Sequence, residues 1–155
     1  MPTFNIYKKE EFEEALNASL RSLKTDRIDF YLAHSLTKPT WDRMVELGML
    51  DFLQKAKESG KVRHLGFSFH DDLSVFKEII NAFDWEFAQI QYNYLDVNRQ
   101  AGTEGLHYAF SKGLGMTIME PLRGGKLVSI PSREISDLWK ESEHRDWTPA
   151  QRGLY

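Results

Sequence analysis

Apolar residues recur along this chain in two alternating rhythms. Phe12, Ala15, Leu16, Leu20 and Leu23 fall at helical spacing among glutamates, which predicts an amphipathic helix over residues 9–23. The run Ile28-Asp29-Phe30-Tyr31-Leu32-Ala33 is short and apolar, and predicts a strand over 28–33 covered on both faces. Thr40 is the expected N-cap of a helix from Trp41 to Ser59, with Gly48 breaking or bending it and Gly60 at its C-cap. Val62 to Ser68 reads as the second strand. His70-Asp71-Asp72 then opens a helix carrying Leu73, Phe76, Ile79, Ile80 and Phe83. A third strand follows over Phe87–Tyr92, a helix over 103–112 closed by Gly113, and a fourth strand over Gly115–Met119. Residues 132–142 read as helical, and Thr148-Pro149 as the cap and first-turn proline of one more helix.

The predicted strands begin near residues 28, 62, 87 and 115, a unit of about 30 residues, which is the rhythm of βα repeats. Eight such units make a (β/α)8 TIM barrel of about 250 residues. The 155 residues here hold about four parallel βα units, so the expected fold is α/β, a partial TIM barrel forming a single partial domain over 1–155. An open flavodoxin-like sheet is the competing architecture and would be complete at this length. In a half-barrel the strands at 28–33 and 115–119 each lack one neighbour. Ile28, Phe30, Leu32, Phe87 and residues 115–119 would then face an interior with no opposite wall. A homodimer through the open barrel edges, or aggregation, is the expected consequence.

Composition narrows the function classes. Hydrophobic content is 41% and charge 28%, values of a folded chain. Net charge is −3 and the isoelectric point about 6.0, which argues against a nucleic-acid partner. The absence of cysteine excludes disulfides, thiolate zinc sites, an iron–sulphur cluster and a cysteine nucleophile within this chain. No apolar run approaches the roughly 18 residues that span a bilayer. Met1-Pro2-Thr3-Phe4-Asn5 lacks the basic region and apolar core of a signal peptide. A cytoplasmic protein with no membrane partner is expected.

Candidate chemistry collects where parallel strands end, because their loops converge on one crevice. The first strand delivers His34, a candidate proton donor or acceptor. The second delivers Gly66-Phe67-Ser68-Phe69-His70, and the third Gln89-Ile90-Gln91-Tyr92-Asn93. The fourth leads into Met119-Glu120-Pro121-Leu122-Arg123-Gly124-Gly125, which offers backbone amides and a cation to a phosphate. Strand side chains alternate faces, so Ser68 shares its face with Gly66 and His64, and Gln89 with Phe87 and Gln91. His64, His70, Asp71 and Asp72 could together ligate a metal, but His70 and the aspartates read instead as caps of the next helix. Trp41, Trp85, Trp139 and Trp147 read as core or interface, and Glu11, Glu13 and Glu14 as a solvated helix face.

These residues carry a resemblance. Ser19-Leu20, Asp29-Phe30-Tyr31-Leu32-Ala33-His34, Gly60-Lys61-Val62-Arg63, Gly66-Phe67-Ser68, Gln89-Ile90 and Pro121-Leu122 resemble the aldo-keto reductases in order and spacing, from about residue 12 to 128. That family comprises (β/α)8-barrel carbonyl reductases dependent on NADP(H) or NAD(H). The longer runs 66–70, 89–96 and 119–125 resemble one branch, whose members often carry a C-terminal ferredoxin-like iron–sulphur domain. By that resemblance, His34 matches the site histidine that orients the substrate carbonyl. Ser68 and Gln89 match residues that hydrogen-bond the nicotinamide carboxamide. Phe69 stands where the family often has asparagine, and Met119 where a tyrosine often stacks on the nicotinamide ring. Pro121, Leu122, Arg123 and Gly124 match the segment beside the cofactor pyrophosphate.

The resemblance also implies that the family's catalytic tyrosine, lysine and aspartate lie on preceding βα units, and its adenosine-phosphate clamp beyond Tyr155. The expectation is an aldo-keto reductase-like second half, inactive alone, whose partners in the full-length family are a nicotinamide nucleotide and a small carbonyl substrate. The alternative is a non-catalytic half-barrel that binds a nucleotide or a partner chain.

Overall fold

Helices and strands alternate through the computed structural model, which describes residues 1–129 and 132–154. The order is α1 (Glu10–Leu23), β1 (Ile28–Leu36), α2 (Lys38–Glu46), α3 (Met49–Glu58), β2 (Val62–Phe69), α4 (Leu73–Ala82), β3 (Phe87–Gln91), α5 (Gly102–Ser111), β4 (Gly115–Met119), α6 (Arg133–Glu141) and α7 (Pro149–Leu154). All four strands pair in parallel, in the spatial order β1-β2-β3-β4. That consecutive order is the winding of a barrel. A flavodoxin-like sheet would reverse direction at a switch point, and the described strands have none.

Local chemistry sets the element boundaries. The helix expected over 41–59 is two helices. Thr37, not Thr40, caps the first: the Thr40 hydroxyl accepts from the Thr37 amide at 2.7 Å, and the two side chains close a reciprocal capping box. Thr40 therefore sits inside the first turn, where Pro39 is also tolerated because that turn's amides need no helical partner. Gly48, at φ 84°, supplies the left-handed link into α3. Glu11 is no idle surface charge. Its carboxylate accepts from the Tyr7 and Lys8 amides at 2.6 and 3.0 Å and closes the start of α1.

Burial falls on one face of the sheet. Phe67 and Phe69 turn toward the helices and pack with Phe76 of α4, while Trp85 also lies against Phe67. Tyr31 and Ala33 are buried on the same side. The opposite face is lined by Phe30, His64 and Phe87, whose rings touch one another. It stays open, with Phe30 66% exposed. The expectation that β1 is covered on both faces is thus corrected: the helices cover one, and no described residue covers the other. Gly66 lies under Phe87, and a Cβ there would meet the ring at 2.6 Å. This fit fixes the β2–β3 register, which sets Gly66 beside Phe87 and Ser68 beside Gln89.

The β1 edge is not wholly bare. Met1 donates its terminal amine to the Leu32 carbonyl at 2.9 Å, and the His34 amide donates to the Met1 carbonyl at 2.9 Å. The Thr3 hydroxyl donates to the His34 carbonyl, and Arg43 donates to the Thr3 carbonyl at 3.0 Å. Residues 1–3 therefore strap the upper half of that edge. The outer edge of β4 has no strand neighbour among the described residues.

At the other end of the sheet, Glu86 joins three elements. It holds His64 Nδ1 at 2.6 Å, Lys57 Nζ at 2.6 Å and the Leu65 amide at 3.1 Å. Burial alone would raise its pKa; the hydrogen bonds from Lys57, His64 and the Leu65 amide outweigh that and bring it down to about 2. A carboxylate whose pKa is lower folded than unfolded adds stability above the unfolded range near 4.3, and loses it as pH falls toward 2. Glu86→Gln should therefore cost about 1 kcal/mol at pH 7, a value reduced by solvent screening, and flatten the stability loss between pH 5 and 2. Thermal denaturation across that range checks it. Parallel wild-type and Glu86→Gln profiles would show that Glu86 carries no linked stability.

Candidate active site

The C-terminal ends of the four strands bring the predicted residues to one rim, but not as equals. His34 lies two residues before the end of β1, where the strand bulges. Ala33 pairs with Phe67 and Leu36 with Phe69, so His34 and Ser35 together face Ser68. Ser35 takes a left-handed φ of 62°, sparsely populated for a residue with a side chain. The bulge turns the Ser35 amide onto Ser68 Oγ at 2.6 Å. It also leaves the His34 ring exposed, with Phe4 edge-on at 5.9 Å between centroids.

Ser68 is 1% exposed. Its oxygen accepts from the Ser35 amide, and its own proton has no acceptor among the described residues. Gln89 is its neighbour across the ladder, half-buried, and its amide has no hydrogen-bond partner among the described residues. A donor hydroxyl beside an unpaired amide can recognise a ligand carboxamide, which offers both a carbonyl and an NH2 group. His70 stands half-buried just past β2, with its amide donating to the Leu36 carbonyl at 2.9 Å. Burial, and then the neighbouring charge of His34, lower its pKa. The neutral ring is thereby favoured near the rim. Asp71 does not cap the helix that follows it, as the sequence suggested. Its carboxylate accepts from the Lys38 amide at 2.6 Å and so caps α2 across the sheet. Asp72 takes the N-cap position of α4 with no side-chain cap bond. No group of metal-ligating side chains forms among the described residues.

Met119 ends β4 half-buried, and its carbonyl accepts from the Tyr92 amide at 3.3 Å. The loop beyond it is a chain of tight turns. Glu120 and Arg123 take positive φ values of 60° and 52°. The Arg123 amide donates to the Glu120 carbonyl at 3.0 Å, and the Gly125 amide to the Leu122 carbonyl at 2.9 Å. Pro121 and Leu122 are half-buried, while Arg123 and Gly124 face solvent. The structure therefore gathers His34, Ser68, Gln89, Met119 and the 121–124 loop at the same sheet end.

Sequence reasoning gave no role to Ser35, Asn93 or Asp96. Nothing in the sequence marks Ser35, since its conformation follows from the bulge. Asn93 carried a signal: an asparagine just past a strand, with Asp three residues on, is a side-chain turn pattern. Asn93 is 4% exposed and its side-chain oxygen accepts from the Leu95 and Asp96 amides, both at 3.0 Å.

Known proteins resemble this chain in sequence and in fold. A sequence profile described as the aldo/keto reductase family matches residues 5–150. The chain is 32% identical over 131 residues to the uncharacterized oxidoreductase YrpG of Bacillus subtilis (strain 168), which covers 82% of this chain and 38% of that protein. It is 26% identical over 132 residues to the NADH-specific methylglyoxal reductase of Escherichia coli (strain K12), across 83% of this chain and 39% of that one. The chain thus spans less than two-fifths of the length of these relatives. The apo form of aldo-keto reductase AKR11C1 from Bacillus halodurans superposes with a TM-score of 0.71 at 25% identity, covering 91% of this chain and half (50%) of that one. The four βα units correspond to part of that family's TIM barrel, and the chain belongs to the aldo/keto reductase family.

Proposed function

We propose that the rim is the cofactor-side part of an NAD(P)H-dependent carbonyl reductase site. The observation that carries this reading is the Ser68–Gln89 pair, a buried donor hydroxyl level with a half-buried amide that lacks a partner. A nicotinamide nucleotide, when bound, supplies the hydride. Ser68 donates to its carboxamide, Gln89 completes that recognition, and Met119 lies against the ring by apolar contact. Pro121, Leu122, Arg123 and Gly124 receive the pyrophosphate, with Arg123 as the cation. His34 orients the substrate carbonyl through a hydrogen bond. The printed name of the E. coli relative makes methylglyoxal and NADH the first pair to try.

A developing alkoxide needs a proton donor. The resemblance places the family's tyrosine, lysine and aspartate outside the matched motifs, which leaves His34 as the one matched residue at the carbonyl. The reading is therefore that these 155 residues do not by themselves reduce carbonyls. Loss of groups that act together costs several orders of magnitude in rate. The lack of cysteine keeps any iron–sulphur cluster out of this chain. Among the described residues no helix is long and apolar enough to cross a membrane. We place the protein in the cytoplasm, without nucleic-acid or membrane partners. The second reading, a non-catalytic half-barrel, is favoured by one observation: the sheet face bearing Phe30 is open.

A steady-state assay of methylglyoxal with NADH and with NADPH should give no significant turnover. Turnover near one per second that disappears in His34→Ala would sink that expectation. NADPH should still bind weakly, with a dissociation constant in the millimolar range, worth about 4 kcal/mol. Chemical-shift changes should centre on Ser68, Gln89 and residues 121–124. Shifts confined elsewhere, or none, would count against the site. In sedimentation at micromolar concentration, the open face and the free β4 edge should produce a homodimer or larger species. A sharp 18.1 kDa monomer with cooperative unfolding would refute pairing through the open edges.

A further inference from the structure

The 120–125 loop is held from beneath by two residues that no assigned role explains. The Glu120 carbonyl receives two donors, the Arg123 amide at 3.0 Å and Asn93 Nδ2 at 3.4 Å. The first closes the turn and the second fastens it to the loop after β3. Asn93 Nδ2 also donates to Asp96 Oδ2 at 2.8 Å, and the same oxygen lies 3.6 Å from Arg123 Nε. The Asp96 side chain is 12% exposed and that of Arg123 43%. A nearly buried carboxylate thus faces outward onto a partly exposed guanidinium. Arg123 has no other side-chain partner among the described residues, so both its Nη groups remain open to a ligand. Glu120 and Arg123 are both in the left-handed region, which persists only where surrounding contacts over-determine it.

We infer that Asn93 and Asp96 are positioning residues of the anion-binding loop: they lock its backbone through the Glu120 carbonyl and aim Arg123 through its Nε. The consequence for ligands rests on the nucleotide reading above, whereas the locking does not. Asp96 acts through Arg123 and Asn93 and touches no ligand. A loop ordered before binding loses less entropy when a diphosphate arrives. The arginine's two terminal nitrogens are presented to oxygen atoms while its inner nitrogen is restrained.

The test needs no ligand at first. Backbone amide exchange is measured by NMR in the intact chain, in Asp96→Ala and in Asp96→Asn. In Asp96→Ala the amides of Arg123, Gly125 and Leu127 should exchange about tenfold faster, while those of Phe67 and Ile90 are unchanged. Asp96→Asn keeps an oxygen for Asn93 Nδ2, so backbone protection should return to within about threefold of wild type. Its Arg123 Nε–H should still lose protection, because the charge is gone. Loop amides as slow in Asp96→Ala as in wild type would overturn the inference, and so would acceleration shared equally by β2 and β3. NADPH is then titrated into all three proteins. Wild-type binding weakened about fivefold in Asp96→Ala supports the inference, and unchanged affinity there overturns it. If NADPH moves no wild-type resonance, the nucleotide reading falls, and the exchange data alone decide the positioning role.

Discussion

A parallel sheet has two faces, and among the described residues this one has helices for only one of them. That constraint governs the molecule. Phe67, Phe69, Phe76 and Trp85 form a dry layer between sheet and helices, and every fully buried large side chain belongs to that side or its continuation. On the other face the rings of His64 and Phe87 pack against Phe30, and no helix among the described residues covers them. The rim inherits both conditions. Its residues are positioned with precision by the covered face, yet they border an uncovered one.

The site depends on register more than on any single side chain. The β2–β3 ladder brings Ser68 level with Gln89, and the β3–β4 ladder brings Gln91 level with Met119. The β1–β2 ladder would bring His34 level with Ser68, but the bulge intervenes and spends two residues where the partner spends one. That irregularity turns a backbone amide, which a regular ladder would have consumed, onto the serine oxygen. Strain at Ser35 is the local cost of that contact with Ser68.

Much of this was legible beforehand. Period and length announced each element: the 3.6-residue rhythm of α1 and the apolar runs of β2 to β4 fell close to the observed spans. The residues singled out at strand ends do lie together at one end of the sheet. What escaped was whatever long-range contact decides. Thr37 outranks Thr40 as a cap because the two hydroxyls answer each other. Asp71 serves a helix 33 positions upstream of it in sequence, where no local pattern could point. The strap of residues 1–3 along β1 looked like an ordinary chain start. Ser35 is a serine like any other until a bulge puts it at φ 62°.

The contact between Gly66 and Phe87 has a bearing on how this rim can be altered. It works as a keyhole that admits one alignment of two strands. Side-chain changes at Met119 or in the 121–124 loop leave the β2–β3 ladder alone. Position 66 allows no such freedom. A methyl group there would collide with the aromatic ring, and the ring would leave or the strands would slide. A slide of the strands would part Ser68 from Gln89 without touching them. A library that keeps both of those residues but randomises Gly66 would put their alignment at risk while preserving their identities.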